Sequence, residues 1–293
     1  MSAVLWLGDP GCDDPARVGG KAASLSRLSH AYPVPPGFCL PASDRELALT
    51  TTLRASVASA YTALARRVGR EEPAVAVRSS AVDEDGALAS FAGIFTSYLN
   101  LRGLEELLDA IQKCWASAAD PRVQAYRAER GDDTNIDINA GVGVLVQALI
   151  PADAAAVVFS VNPTSGARDE LVINANWGLG ESVVGGLVTP DTWVVQRPGL
   201  SAVRFRVGDK RRMTVRFDGG TREVPVLRRL RRRPCLDDAQ VRQLGELALR
   251  LEQETGGPVD IECAFEGDRL YLLQCRPITT LGARPATRSQ PEL

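Results

Sequence analysis

Apolar positions recur along the chain in two rhythms, and the change from one to the other marks the elements. At residues 18–28 (VGGKAASLSRL) a Gly-Gly pair leads into a small-residue segment with Leu25 and Leu28 on one face, which predicts a short helix. Residues 32–42 (YPVPPGFCLPA) predict an extended entry into a strand, because each Pro fixes φ and biases its predecessor towards β. An Ala-rich helix is expected over 44–70, broken by Glu71-Glu72-Pro73, and AVAVR at 74–78 reads as a buried strand. Phe95, Tyr98 and Leu99 suggest another strand, and 104–115 and 121–130 two amphipathic helices.

The second half is richer in short apolar runs. Residues 141–150 (GVGVLVQALI), 155–161 and 171–176 are strand candidates, punctuated by the turn Asn162-Pro163-Thr164-Ser165-Gly166 and by the Gly-rich loop Trp177-Gly178-Leu179-Gly180-Glu181. Segments 194–196, 203–207 and 213–217 suggest an antiparallel set carrying Lys210. Asp237 can cap a helix running to about residue 254, with Val241, Leu244, Ala248 and Leu251 facing inward, before Gly256-Gly257 ends it.

The most informative pattern is in 259–279 (VDIECAFEGDRLYLLQCRPIT), where Ile261, Cys263 and Phe265 alternate with Asp260 and Glu262, and Tyr271, Leu273 and Cys275 with Leu272, Gln274 and Arg276. It predicts strands at 260–265 and 270–276 around a turn at Gly267 and Asp268. A register pairing Phe265 with Tyr271 and Cys263 with Leu273, with Gly267, Asp268 and Arg269 as a three-residue loop, keeps the apolar residues together. Glu262 then lies opposite Gln274 and Asp260 opposite Arg276. A carboxylate beside an amide oxygen can hold a hard cation such as Mg²⁺, which completes its octahedron with water and phosphate oxygens. The neighbouring guanidinium suits a phosphate. An exposed hairpin with a satisfied cross-strand ion pair would show the same residues.

At roughly 100–200 residues per domain, 293 residues suggest two packed units or one domain of two lobes. The net charge is −2, and of the 34 basic residues only Lys21, Lys113 and Lys210 are lysines. No stretch of 18 uncharged apolar residues and no signal-peptide pattern is present, so a soluble cytoplasmic protein with neither membrane nor nucleic acid as partner is expected. Six cysteines without CxxC spacing predict buried reduced thiols. The single histidine, His30, excludes His-rich zinc sites and leaves little room for a Ser-His-Asp or Cys-His centre.

The remaining chemistry is cationic. Lys21 stands in the first turn after a Gly-Gly pair, where backbone N–H groups and the helix dipole favour an anion. It is not a Walker A loop, since Pro15 and Ala22 occupy positions that motif fixes otherwise. Arg78 leaves a buried strand into Ser79-Ser80, ahead of an acidic loop (Asp83, Glu84, Asp85) and Ser90-Phe91-Ala92-Gly93. Lys21, Arg78, Lys210 and Arg276 can be read as phosphate-directed cations at element ends, or as ordinary surface charges with local partners. Arg228, Arg229, Arg231, Arg232 and Arg233 form a basic run that suits a solvated connection or, less directly, a docking patch for an acidic partner.

Taken in order, VGGKAASL, PVPPGF, VAVRSSAVDEDGALASFAGIFTSYLN, VLVQALIPAD, VVFSVNPTSG, NANWGLGESVVGG, TPDTW and PVDIECAFEGDRLYLLQCRPIT resemble the ATP-binding domain of phosphoenolpyruvate synthase, pyruvate phosphate dikinase and rifampin phosphotransferase. The resemblance covers about residues 14 to 281. It implies an α+β, ATP-grasp-like fold of two lobes, 1–142 and 143–293, closing over MgATP. Carried over by position, Lys21, Arg78 and Arg276 would contact the phosphates, and Gly93 with Ser97 would form a covering loop. Gln147 would lie at the inter-lobe hinge near the adenine, and Glu262 and Gln274 would bind Mg²⁺. Phosphoryl transfer is mostly positioning and charge neutralisation, in keeping with a site of cations and metal ligands that has no evident nucleophile.

The family's acceptor is a histidine on a mobile domain. This chain stops shortly after Arg276-Pro277-Ile278-Thr279, so the expected role is an ATP-binding phosphotransferase subunit that donates a phosphoryl or pyrophosphoryl group to a histidine on a separate polypeptide. A small-molecule kinase and a non-catalytic nucleotide-binding regulator are the alternatives. Ile94, Phe95 and Cys263 depart from the family pattern at the rim, and the stretch between Phe38 and Arg78 is shorter than in the synthases.

Overall fold

The computed structural model describes residues 4–42, 49–81, 97–117, 142–186 and 188–278. The expected helix at 121–130, Gly93 and the acidic loop lie outside them. In chain order the first half contains β1 (Leu5–Trp6), α1 (Pro15–Val18), α2 (Gly20–Leu28), β2 (Gly37–Leu40), α3 (Thr51–Val68), β3 (Val75–Ala81), β4 (Ser97–Leu101), α4 (Gly103–Ser117) and β5 (Val142–Ala148). The second half contains β6 (Ala154–Phe159), β7 (Glu170–Trp177), α5 (Glu181–Val184), β8 (Asp191–Gln196), β9 (Ser201–Arg206), β10 (Arg212–Phe217), β11 (Gly220–Pro225), α6 (Arg228–Arg231), α7 (Asp238–Thr255), β12 (Val259–Glu266) and β13 (Arg269–Pro277). No described helix is long and apolar enough to cross a membrane.

Two sheets carry this α+β fold. The first runs β1-β2-β5-β3-β4 and the second β13-β12-β6-β7-β8-β9, each pairing antiparallel. Alternation assigns the faces of the first sheet. Phe38, Leu40, Val75, Val77, Val144 and Val146 pack against α3 and α4 through Val57, Leu64, Leu107 and Ile111. Cys39 and Leu145 turn the other way, into a core that α2 shares with the second sheet through Leu25, Leu28, Ile261 and Cys275. That core is closed by the apolar stripe of α7, including Val241, Leu244, Ala248 and Leu251.

The helix ends follow local chemistry. Thr50 accepts from the Leu53 amide at the start of α3, which stops at Gly69 in the left-handed region. Asp237 and Gln240 form a reciprocal capping box for α7, and Gly256 ends it. The Gly-Gly pair leads into α2 as expected, with Lys21 in the first turn and Gly19 as the N-cap at a φ of 83° that only glycine adopts cheaply. A Cβ there would stand 2.0 Å from the Ser80 carbonyl oxygen, so this glycine is also what lets α2 approach β3.

Three expectations are corrected. The set 194–217 divides, because β8 and β9 extend the second sheet whereas β10 pairs with β11 in a hairpin of its own. The β12–β13 hairpin keeps Glu262 opposite Gln274 and Asp260 opposite Arg276, but pairs Cys263 with Leu272 and Phe265 with Leu270. Its turn has two residues, Gly267 at φ 57° and Asp268, and the surplus residue is taken up by a bulge that leaves Leu273 unpaired. Leu270 and Leu272 therefore join the main core, while Tyr271 and Leu273 pack with Ile150 and Ala264 on the opposite face. All six cysteines are buried, and none is in a disulfide.

Candidate functional site

Where β3, α2 and β13 converge, most of the singled-out residues come together. Ser80 Oγ accepts from the Ala22 amide at 3.1 Å, and Ser24 Oγ donates to the Cys275 carbonyl at 3.1 Å, so α2 is pinned to both sheets. Lys21 precedes both anchors in the first turn of α2, only 6% exposed, with Nζ 3.5 Å from the Ser79 carbonyl oxygen. The buried ammonium stands at the N-terminal turn of a nine-residue helix, whose dipole adds to its field.

Arg78 reaches across from β3. Its Nη1 donates to the carbonyl of Leu273 at 3.3 Å, and its buried Nε has no hydrogen-bond partner. The β13 bulge is what turns that carbonyl out of the ladder. Ser97, the first residue of β4, pairs directly with Arg78. Gln147 lies two residues along β5 from Leu145, the other cross-strand neighbour of Arg78, and so shares that face of the sheet. Its amide is buried and donates to the Pro35 carbonyl at 3.1 Å. Lys21, Arg78, Ser97 and Gln147 thus line the side of the first sheet that looks towards the second.

On the second sheet the register aligns a half-exposed Glu262 with Gln274 on the face away from α7, in one row with Val157, Asn174 and Thr192. Asp260 and Arg276 form the next row. Arg276 binds one carboxylate oxygen twice, Nε and Nη2 lying 2.8 and 2.7 Å from Asp260 Oδ2. Burial pushes the Asp260 carboxyl above its usual range, against the pull of Arg276, and Oδ1 is buried without a partner.

Glu262, Gln274 and the free Asp260 oxygen supply hard oxygen donors on one face. Among the described residues no group of three or more His, Cys, Asp or Glu could close a metal shell. Such a donor set fits an ion that keeps most of its ligands from water and phosphate, as Mg²⁺ does, and does not fit zinc.

Lys210 does not belong here. Its ammonium is fully buried 2.5 Å from Asp191 Oδ1 and 3.3 Å from the Gly208 carbonyl, while Asp191 also accepts from the Gly208 and Cys235 amides. This is a structural clip, because a buried cation is held by its counter-ion and cannot present itself to a phosphate. The Cys235 thiol beside it is pushed up, first by burial and then by the Asp191 charge. The arginine run forms α6 and its flank, with no buried side chain in the helix.

Residues 44–292 match the family model described as pyruvate phosphate dikinase, AMP/ATP-binding domain. A probable phosphoenolpyruvate synthase of Methanothermobacter thermautotrophicus is 35% identical over 320 residues, covering 95% of this chain and 46% of that protein. A rifampicin phosphotransferase of a Streptomyces species is 36% identical over 316 residues, covering 95% and 36%. The chain spans less than half the length of these relatives. Among solved structures, PH1788 from Pyrococcus horikoshii overlays with a TM-score of 0.41 at 15% identity, over 88% of this chain and 91% of that one.

Proposed function

The chain belongs to the pyruvate phosphate dikinase AMP/ATP-binding domain family, and from that premise we propose that it binds MgATP between its two lobes in an ATP-grasp-like manner and donates a phosphoryl or pyrophosphoryl group to a histidine on a separate polypeptide. The observation that carries this reading is the convergence of Lys21, Arg78 and the Leu273–Arg276 stretch through direct hydrogen bonds, with Glu262 and Gln274 on the adjoining face.

In this reading Lys21 supplies a point charge at the α2 N-terminus. Arg78 and Arg276 supply planar donors that match phosphate oxygens two at a time. Gln147 sits at the adenine edge, and Gly93 with Ser97 belongs to the covering segment. Glu262 and Gln274 hold Mg²⁺, which when bound neutralises charge on the phosphate oxygens. Asp260 keeps the Arg276 guanidinium beside the metal pair. We take the division between the lobes to fall after Ala148 rather than at 142/143, because β5 is hydrogen-bonded in the middle of the first sheet. No side chain here acts as nucleophile, which leaves the acceptor to the incoming substrate or partner.

Calorimetric titration with ATP, with and without Mg²⁺, tests the reading. Metal-dependent binding that is lost in Glu262→Ala and Arg78→Ala supports it; absence of binding by the unmodified chain at millimolar ATP defeats it. Release of AMP when a histidine-bearing partner is added distinguishes pyrophosphoryl from simple phosphoryl donation.

A further inference from the structure

The β10–β11 hairpin takes no part in either sheet, yet it is held firmly at both ends. At its root the Leu179 amide donates to the Thr214 carbonyl at 2.9 Å, and Asn176 Nδ2 donates to the Arg212 carbonyl at 3.0 Å. Gly178 makes that approach possible, since a Cβ there would lie 2.3 Å from the Thr214 oxygen. The root therefore belongs to the second lobe, and Asn176 shares the sheet face that bears Glu262.

The tip is held by the first lobe. Leu99 and Asn100 form a bulge in β4, two residues set against Ala76 alone, and Asn100 takes a φ of 62°. The bulge turns the Asn100 side chain towards the hairpin, where Nδ2 donates to the carbonyls of Phe217 (2.6 Å) and Gly220 (2.7 Å), the two residues that flank the hairpin turn. Asn100 is only 5% exposed, and its buried Oδ1 has no partner. A strained backbone position, a buried amide and one nitrogen spending both hydrogens on a single turn are features that packing alone does not require.

We propose that Asn100 and the β10–β11 hairpin form a latch between the lobes that limits how fast a nucleotide enters and leaves the cleft. The inference rests on the nucleotide-binding reading above. Asn100 lies three residues from Ser97, the partner of Arg78, so the latch fastens the strand that borders the phosphate side of the site. With the latch made, the second lobe cannot move away from β4. Exchange then waits for two short hydrogen bonds to break.

Two variants separate this role from folding. Asn100→Gly removes the amide while favouring the left-handed backbone, and Asn100→Asp keeps the shape but sets an acceptor against two carbonyls. Stopped-flow binding and chase of N-methylanthraniloyl-ATP with Mg²⁺ on the full chain should show association and release both faster by about tenfold in each variant, the effect of losing a pair of such bonds. Asn100→Gly should melt close to the unmodified chain. Unchanged rates in variants that melt normally overturn the latch. If the unmodified chain binds no nucleotide, the functional reading fails, and hydrogen exchange decides the latch separately. Faster exchange in 212–225 and 97–101 of both variants supports the tie between hairpin and β4, and equal exchange overturns it.

Discussion

Arg78 on β3 donates to the carbonyl of Leu273, the one residue of β13 that the hairpin register leaves without a partner. The side chain expected to grip a phosphate is thus also a tie between the lobes. Its unpartnered Nε shows that this contact does not exhaust its donors. Arg78→Ala should weaken ATP binding about 10- to 100-fold, the range for a lost charge-assisted pair. Arg78→Lys should recover only part of it, because an ammonium cannot reproduce the planar fork. Titration calorimetry of both variants checks this order.

The Glu262 and Gln274 pair should set the metal dependence. In Glu262→Gln the gain in ATP affinity on adding Mg²⁺ should fall by at least about tenfold, while affinity in the presence of EDTA changes little. A variant that keeps the full metal effect would remove Glu262 from the site.

Asp191 and Lys210 make a stability prediction remote from the chemistry. Asp191→Ala strands a fully buried ammonium and also releases the Gly208 and Cys235 amides. Breaking a buried pair from one side costs about 3–5 kcal/mol, so urea denaturation should show a large fall in midpoint. ATP affinity measured well below the transition should stay near that of the unmodified chain.

Asp260 gives a pH signature. Its carboxyl is raised above 3.8 by burial, so the folded state holds this proton more tightly than the unfolded chain. The sign follows: its contribution favours folding below the unfolded pKa and is lost as pH rises through the folded value. The stability of the unmodified chain relative to Asp260→Asn should therefore decline as pH rises from about 4. Chemical denaturation at a series of pH values checks this, and an increase with pH would contradict it.

Gly19→Ala should damage both fold and site. The new Cβ meets the Ser80 carbonyl at 2.0 Å in a backbone region that disfavours L residues, a cost of about 2 kcal/mol or more. Since α2 must retreat from β3, Lys21 moves with it. Thermal melting should fall, and ATP affinity should fall with it even where the protein is folded.

Much of this architecture is legible in the residues, and the exceptions have physical reasons. The pairing of Glu262 with Gln274 and of Asp260 with Arg276 follows from alternation at the far end of the hairpin. The near end does not, because Leu270, Tyr271, Leu272 and Leu273 are apolar on both faces and carry no parity from which to read a bulge. Lys210 looks like an available cation because Asp191, its partner, is 19 residues away at the start of β8. The end of β5 at Ala148 is not marked in the sequence, because the strand is buried throughout and shows no polar break at its boundary. Asn100 gives no signal at all, since its importance arises only from the bulge that rotates it.

Helix α2 is fastened to Ser80 on one side and to Cys275 on the other. Any separation of the lobes by straight translation would tear one fastening. Arg78 adds a third tie, from β3 to the Leu273 carbonyl. Lys21, one residue before the Ser80 fastening and three before the Cys275 one, is thereby held to both sheets at once, and a substitution that loosens α2 displaces the ammonium with it.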